Sequence, residues 1–351
     1  GDSSSVYRLN VLNWGPVSYP DVMPIEPGID LVGVAAGLAP HTPETGAWIV
    51  GAEGSLFWED GSENWTVMNI DDDLEAAGLV ENTQDTVLAI GGLGCKAFRK
   101  DGAFFKPVNV LGDVCIQPCP DCATPIEGET FEVLAHGQGG PTLVGSNHGW
   151  VYHYDPVQEA LVLVANQLTH EDPEGVSSLS AVTGLASLSE AEQYVLTEQH
   201  LYKLDGDSWT AAGPGGVGLV VKNAFDISVL QETGVQHYDG SEWSFTQLPP
   251  ATLTAVASSG VGDLSTLWGV GTDGYTFHWQ NGTWTPHSWQ GAGDAPDLDH
   301  VAINADGDAE LLTSDGRRFT LTQQGAWTET KIPSGIVPSN LFIDGNGTMW
   351  L

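Results

Sequence analysis

The residues of this chain whose types could do chemistry are its cysteines, a set of carboxylates in tight turns, and its histidines. The 4 cysteines are Cys95, Cys115, Cys119 and Cys122. A structural zinc site takes two separated Cys-x-x-Cys knuckles, each offering two thiolates to one tetrahedral ion, and only Cys119 and Cys122 have that spacing. Two disulfides fit the pattern better, with zinc and free thiols as the alternatives. Three pairings are open. A bond from Cys95 to the later cluster would tie a long loop back to its own unit and restrict the unfolded chain most. The 10 histidines show no metal spacing such as His-Glu-x-x-His, and His153 and His278 alternate with aromatics as packed or surface strand residues do. There is no Gly-x-Ser-x-Gly elbow and no Cys-His signature.

Two further motifs read as turns. Asn304, Asp306 and Asp308 alternate like calcium ligands, but Gly307 comes too early for an Asp-x-Asp-x-Asp-Gly loop; they and the equivalent Asp344 and Asn346 are turn formers. Gly213, Gly215 and Gly218 satisfy Gly-x-Gly-x-x-Gly, yet Leu219 to Val221 continues as a strand where a dinucleotide loop must open a helix.

Composition narrows the partners. The 351 residues carry a formal charge of -36, and the unusual quantity behind it is Lys plus Arg at only 10, against 46 Asp plus Glu. A chain so poor in cations cannot neutralise phosphates, which excludes nucleic-acid binding and docking on anionic lipid. Cations, basic protein surfaces and neutral groups such as sugars remain, and the charge also serves solubility. No apolar run approaches the roughly 20 residues that span a bilayer. The opening Gly1-Asp2-Ser3-Ser4-Ser5 is similar to the tether behind the lipid-bearing cysteine of bacterial lipoproteins, which would put a lipid anchor upstream of Gly1 and the protein outside a bacterial cytoplasm.

The elements that must position these residues are short strands. Glycine stands at 44 and proline at 20, and no segment carries a sustained apolar stripe at helical spacing, so the fold class is all-β. The stretch from Leu267 to Trp289 alternates apolar and polar residues and is broken at Asp273-Gly274 and Asn281-Gly282, two hairpin signals. Its first turn recurs at Gly54, Gly94, Gly149, near His200, Gly234 and Gly316. The second recurs at Asp60-Gly61, Asp101-Gly102, Asp155-Pro156, Asp205-Gly206, Asp239-Gly240 and Gln324-Gly325. Another apolar run precedes each first turn, which makes four strands per unit. Four-stranded units of about 40 to 45 residues are the signature of a β-propeller. The repeats give seven complete units. Leu341 to Leu351 reads as the inner half of one more, and Val6 to Leu9 with Val11 to Val17 supply its outer half. We therefore expect a single domain over 1–351, an eight-bladed propeller of four-stranded antiparallel blades whose last blade is closed by strands from both termini. Seven blades is the alternative. A Cys- and Pro-rich surface insertion occupies 112–129, and a proline-punctuated linker occupies 15–29. The 13 tryptophans mostly recur at fixed unit positions, as blade packing requires, more than as sugar platforms.

At Leu341 to Leu351 the pattern Asp344, Gly347, Trp350 resembles the repeat of two-component-regulator type propellers. More loosely, the units are similar to the aspartate-box repeats of sialidases and of photosystem-assembly propellers, although no unit meets the full Ser-x-Asp-x-Gly-x-Thr-Trp box. The resemblance implies a rigid disc that binds something, with no fixed chemistry. In such a disc equivalent turns lie on one face, so Glu53, Glu198, Glu232, Asp273 and Asp315 would crown the channel mouth. They could hold a cation such as calcium, although no cofactor is required by the sequence, or dock a basic loop; solvated turn acids are the plainer reading. The expected function is a non-enzymatic extracytoplasmic binding or scaffold protein in a cell-surface or secreted assembly, with a protein partner. A glycan hydrolase or lyase is one alternative, although Arg8, Arg99, Arg317 and Arg318 are too dispersed for a sialidase-like carboxylate site. A ligand-sensing ectodomain is the other.

Overall fold

Each alternating run is short because a turn residue stops it, and in the computed structural model the runs become strands of two to eight residues. The structure describes residues 7–10, 13–16, 31–38, 45–51, 55–59, 65–69, 76–81, 87–91, 95–101, 104–111, 128–135, 140–171, 177–231, 233–247, 253–258, 267–280, 283–290, 293–304, 306–313, 315–330, 341–343 and 349–350. Up to residue 87 it does so for the backbone alone.

Two compact units divide the chain. The first, Pro20–Leu219, holds four meander sheets. Sheet one is Leu31–Leu38, Thr45–Gly51, Ser55–Glu59 and Trp65–Asn69. Sheet two is Ala76–Glu81, Val87–Gly91, Lys96–Asp101 and Phe104–Pro107. Sheet three is Phe131–Ala135, Leu143–Ser146, Val151–Asp155 and Ala160–Leu163. Sheet four is Val182–Ser189, Glu192–Thr197, His200–Asp205 and Ser208–Pro214.

The second unit, Gly1–Tyr19 with Val220–Leu351, holds the rest. Sheet five begins at the boundary with Gly218–Asn223 and continues through Asp226–Gln231, Gly234–Tyr238 and Trp243–Gln247. Sheet six is Leu253–Ser258, Leu267–Gly271, Thr276–Gln280 and Thr283–His287. Sheet seven is Leu298–Ile303, Ala309–Thr313, Arg318–Leu321 and Trp327–Thr330. Sheet eight joins both ends of the sequence, in the order Asn13–Pro16, Tyr7–Asn10, Met349–Trp350, Phe342–Ile343, with Arg8 opposite Trp350. Among the described residues sheets one to seven each hold four consecutive strands in chain order, paired antiparallel as expected, and sheet eight is antiparallel across the two ends of the sequence.

Two elaborations were not legible. The segment leaving sheet two runs on as Asn109–Leu111 and pairs in parallel with Ala160–Leu163, which gives sheet three a fifth strand. A two-stranded ribbon, Thr169–Glu171 with Ser177–Leu179, stands between sheets three and four in the sequence. Three residues of either element are too few to show a period.

The turns work through side chains as well as glycines. Asp239 Oδ1 accepts the backbone N–H groups of Ser241 (2.8 Å) and Glu242 (3.0 Å) and the Ser241 hydroxyl (2.7 Å). These bonds, the hydroxyl foremost, hold its carboxyl down to about 2. Asp155 caps its own turn through Val157 and Gln158, which is how Asp155-Pro156 replaces an Asp-Gly pair.

Period-two alternation gives the strands apolar faces, and sheets two to four in one unit and five to seven in the other pack face to face in turn. Leu88, Ile90 and Ala97 of sheet two meet Phe131, Val144 and Tyr152 of sheet three. Val151 of sheet three meets Val182 and Val195 of sheet four. In the second unit Leu230 and Val235 meet Phe277, Trp279 and Trp284, and on the other face of sheet six Trp268 and Val270 meet Leu311, Phe319 and Leu321. Trp268 is fully buried and donates Nε1–H to the Gly307 carbonyl of the next sheet at 3.1 Å. The described tryptophans 268, 279 and 284 are therefore packing residues.

Candidate functional site

The turn carboxylates are the first candidates. Asp273 is exposed at the first turn of sheet six, in the left-handed region at φ 57°, and its N–H donates to Asp297 Oδ1 at 3.0 Å. Asp315 occupies the equivalent turn of sheet seven, also exposed, and accepts the Thr313 hydroxyl. Glu198 is exposed at the corresponding turn of sheet four, in the other unit. Glu53 and Glu232 lie outside the described residues. Among the described residues no group of three or more His, Cys, Asp or Glu side chains could hold a metal ion.

The calcium-like spacing in sheet seven is a turn. Asn304 Oδ1 accepts the N–H groups of Asp306 and Asp308, each at 3.0 Å, and Asp308 Oδ1 accepts the Gln323 N–H at 3.1 Å. The glycine-rich match at 213–218 begins inside the last strand of sheet four and ends on the first strand of sheet five, with no helix. Cys95 is disulfide-bonded and sits at φ 58°, in the turn before the third strand of sheet two. Cys115, Cys119 and Cys122 lie outside the described residues.

The most regular feature of the molecule concerns bases, and alignment on the first turn could have found it. Counting outward from the turn between second and third strands, and including the residues that close it (Ser146 with Trp150, Gly271 with Tyr275 and Thr313 with Arg317 through backbone bonds), one register position falls on Trp58, Arg99, His153, Lys203, His237, His278 and Thr320 in sheets one to seven. Their second-strand partners are Trp48, Leu88, Leu143, Tyr194, Ser228, Trp268 and Glu310. Five consecutive sheets, two to six, carry a base there, in a chain with only 10 Lys plus Arg and 10 His. Arg99 reaches across to Glu159 of sheet three at 2.8 Å. Lys203 lies over the Tyr194 ring, 5.6 Å from its centroid. His237 approaches Ser228 Oγ (3.2 Å) and Asp226 (3.8 Å) and packs on Trp279 of the next sheet, centroids 4.3 Å apart. His278 is stacked on Trp268, centroids 4.2 Å apart and 12° from parallel. Burial pushes the imidazoles of His153, His237 and His278 below their ordinary value, against weaker opposition from nearby carboxylates.

Sheet seven solves the same position differently. Glu310, opposite Thr320, accepts bonds from Thr320 Oγ1 (2.9 Å), Asn304 Nδ2 (3.1 Å) and Arg318 through Nε (3.2 Å) and Nη2 (2.8 Å). Glu310 and Arg318 are 4% and 5% exposed, so the ion pair is buried. Arg317 points elsewhere, to Glu329 at 3.1 Å and over the Phe319 ring at 4.8 Å. No two of the described arginines therefore converge on one anion site.

Two surface features complete the inventory. An open cavity of about 640 Å³ is lined by Trp150, Leu163, Asn166, Gln167 and Thr169, among others. On sheet five, Tyr238, Trp243 and Phe245 share one face, since Tyr238 pairs with Trp243 and Gln236 with Phe245. Phe225 stands at the end of that sheet against Gly240. Phe225 is 68% exposed and Phe245 48%.

No family model matches the sequence, and no curated protein matches it. Solved structures do match, and they are propellers. The chain is similar to the N-terminal part of BBS1, solved in complex with ARL6, at 13% identity, 86% of this chain, 91% of that one and a TM-score of 0.52. It is similar to the extracellular domain of the putative one-component system BT4673 of B. thetaiotaomicron at 9% identity and a TM-score of 0.53, covering 99% of this chain and about half (49%) of that one. It is also similar to the virginiamycin B lyase of Staphylococcus aureus at 9% identity, 79% of this chain, 94% of that one and a TM-score of 0.51. The chain has a β-propeller fold. At these identities the likeness reaches no further than the fold, and the three proteins differ in what they do.

Proposed function

We propose that this is a non-enzymatic propeller that binds a protein partner, as a scaffold subunit of an extracytoplasmic assembly. The observation that carries the reading is the exposed aromatic face of sheet five. Large aromatics concentrate at the centre of protein interfaces, where they bury much area at little entropic cost, and Phe225 and Phe245 have nothing comparable to do inside the sheet. The BBS1 relative supports it as a propeller solved with a protein partner. The lyase relative keeps a glycan-acting or other lyase reading as the rival.

Under this reading the eight sheets are eight blades of one domain, closed by the sheet that joins both termini. Glu53, Glu198, Glu232, Asp273 and Asp315 then share one face and repel anions from it, leaving a basic loop or a cation such as calcium as what it could receive. The bond at Cys95 supports an oxidising compartment. With four cysteines in the chain, we infer that its partner is Cys115, Cys119 or Cys122, which staples the 112–129 insertion. A lipid anchor upstream of Gly1 would hold the disc at a cell surface.

The test is affinity isolation of the native protein from membranes in mild detergent, beside a Phe225→Ser/Phe245→Ser variant. A stoichiometric partner lost from the variant is expected. Recovery as a lone monomer, or a partner retained in full by the variant, would sink the aromatic-face reading, and turnover of a glycan substrate would replace it.

A further inference from the structure

The recurrence of a base at one register position puts histidines where consecutive sheets join. His278 is 2% exposed, pressed flat on Trp268, and its Nε2 is buried without a hydrogen-bond partner. His287, diagonal to it on the same face, also has a buried Nε2 without a partner, and packs so closely on sheet seven that a Cβ on Gly325 would lie 3.0 Å from its Nδ1. His237 is 9% exposed and lies against Trp279 of sheet six. His153 is half-buried, on the same face of sheet three as Val151, which packs on sheet four. Of the permanently charged bases at the equivalent position, Arg99 reaches an acid of the next sheet and Lys203 lies over the Tyr194 ring of its own. The histidines are built in as neutral packing groups.

We propose that His153, His237 and His278 make the joints between sheets acid-responsive: neutral imidazoles keep the joints closed near neutral pH, and protonation in mildly acidic medium loosens them. The reading is independent of what the protein binds.

The groups that face each imidazole set the sign. His153 feels Asp155 of its own turn and Glu190 of sheet four. His237 feels Asp226 and Asp239 of its own sheet, with Lys222 sharing Asp226 at 4.0 Å. His278 feels His287 beside it, which opposes its protonation, and Asp308 of sheet seven, which favours it. Glu310 and Arg318 sit on the opposite face of sheet seven from Phe319 and Leu321, away from this joint. Burial is the leading influence at all three sites and depresses protonation in the fold. A depressed folded value means that the stabilisation is fully present above the unfolded value, about 6.5, and is lost as pH falls below it toward the folded values. Protonation of carboxylates relieves the charge of -36 and acts in the other direction, mostly below about pH 5, so the window between 6.5 and 5 belongs to the histidines.

Thermal unfolding of the full chain, followed by near-ultraviolet circular dichroism at pH 7.5 and pH 5.5, tests this. The wild-type midpoint is expected to fall reversibly by at least roughly 3 °C, and the drop to shrink to less than half in the His153→Gln/His237→Phe/His278→Phe variant. An unchanged wild-type midpoint, or a variant that keeps the whole drop, overturns the proposal. Should the variant not fold, the wild-type imidazole 15N signals decide. Three of them must stay neutral well below the titration of free histidine, and titration at or above it overturns the proposal equally.

Discussion

At the scale of single residues, a buried charge is tolerated only where its partners are complete. Glu310 shows how complete: four donors from three residues converge on its two oxygens. Replacing it with Leu would leave Arg318 charged at 5% exposure. We expect Glu310→Leu to cost roughly 3 to 5 kcal/mol in denaturant unfolding, and Glu310→Leu/Arg318→Met to regain most of that loss. A double variant no better than the single one would mean that Asn304 and Thr320 carry the site and the ion pair does not. The pairing did not stand out in the sequence, because a Glu and an Arg eight places apart share a face only once the hairpin register is known: Glu310 pairs with Thr320, and Leu312 with Arg318.

At the scale of the strand and its turn, glycines differ in what they are for. Gly206 and Gly149 both hold positive φ, 61° and 78°. A Cβ on Gly206 would meet nothing within 4 Å, whereas one on Gly149 would lie 2.6 Å from the Leu168 carbonyl and 2.8 Å from that of Ser180. Gly206→Ala should therefore cost only the left-handed backbone, about 1 to 2 kcal/mol. Gly149→Ala adds a backbone clash and should cost more than twice as much by chemical unfolding; equal losses would show that the Leu168 strand entry yields freely. Turn dipeptides of this kind made most of the strands legible in advance, because positive φ and Asp-to-backbone bonds are local demands. The parallel pairing of Asn109–Leu111 on Ala160–Leu163 was not legible, since a parallel partner fifty residues away leaves no local mark.

At the scale of the whole molecule, sheet eight is made of strands from both ends of the sequence. Deleting residues 1–17 removes two of its four strands and bares the Met349–Trp350 edge. We expect a lower midpoint and a broader, multiphasic transition in calorimetry, because adjoining sheets lose the cooperativity that stacked units share. A sharp transition at the wild-type temperature would show that the terminal strands are dispensable.

The sequence by itself determined the all-β class and the four-strand repeat with its turns, because period-two alternation and positive-φ turn residues are properties of single residues and their near neighbours. The candidate site was legible only in part. Asp273 and Asp315 were found at their turns, but whether acids of distant units share a face is a question of global arrangement. Tertiary structure alone decided that Glu310 and Arg318 meet in the interior and that His278 lies stacked on Trp268. Each of those depends on which residues oppose one another across strands and between sheets, and cross-strand register and face-to-face packing are set by the closing of hairpins and the stacking of sheets.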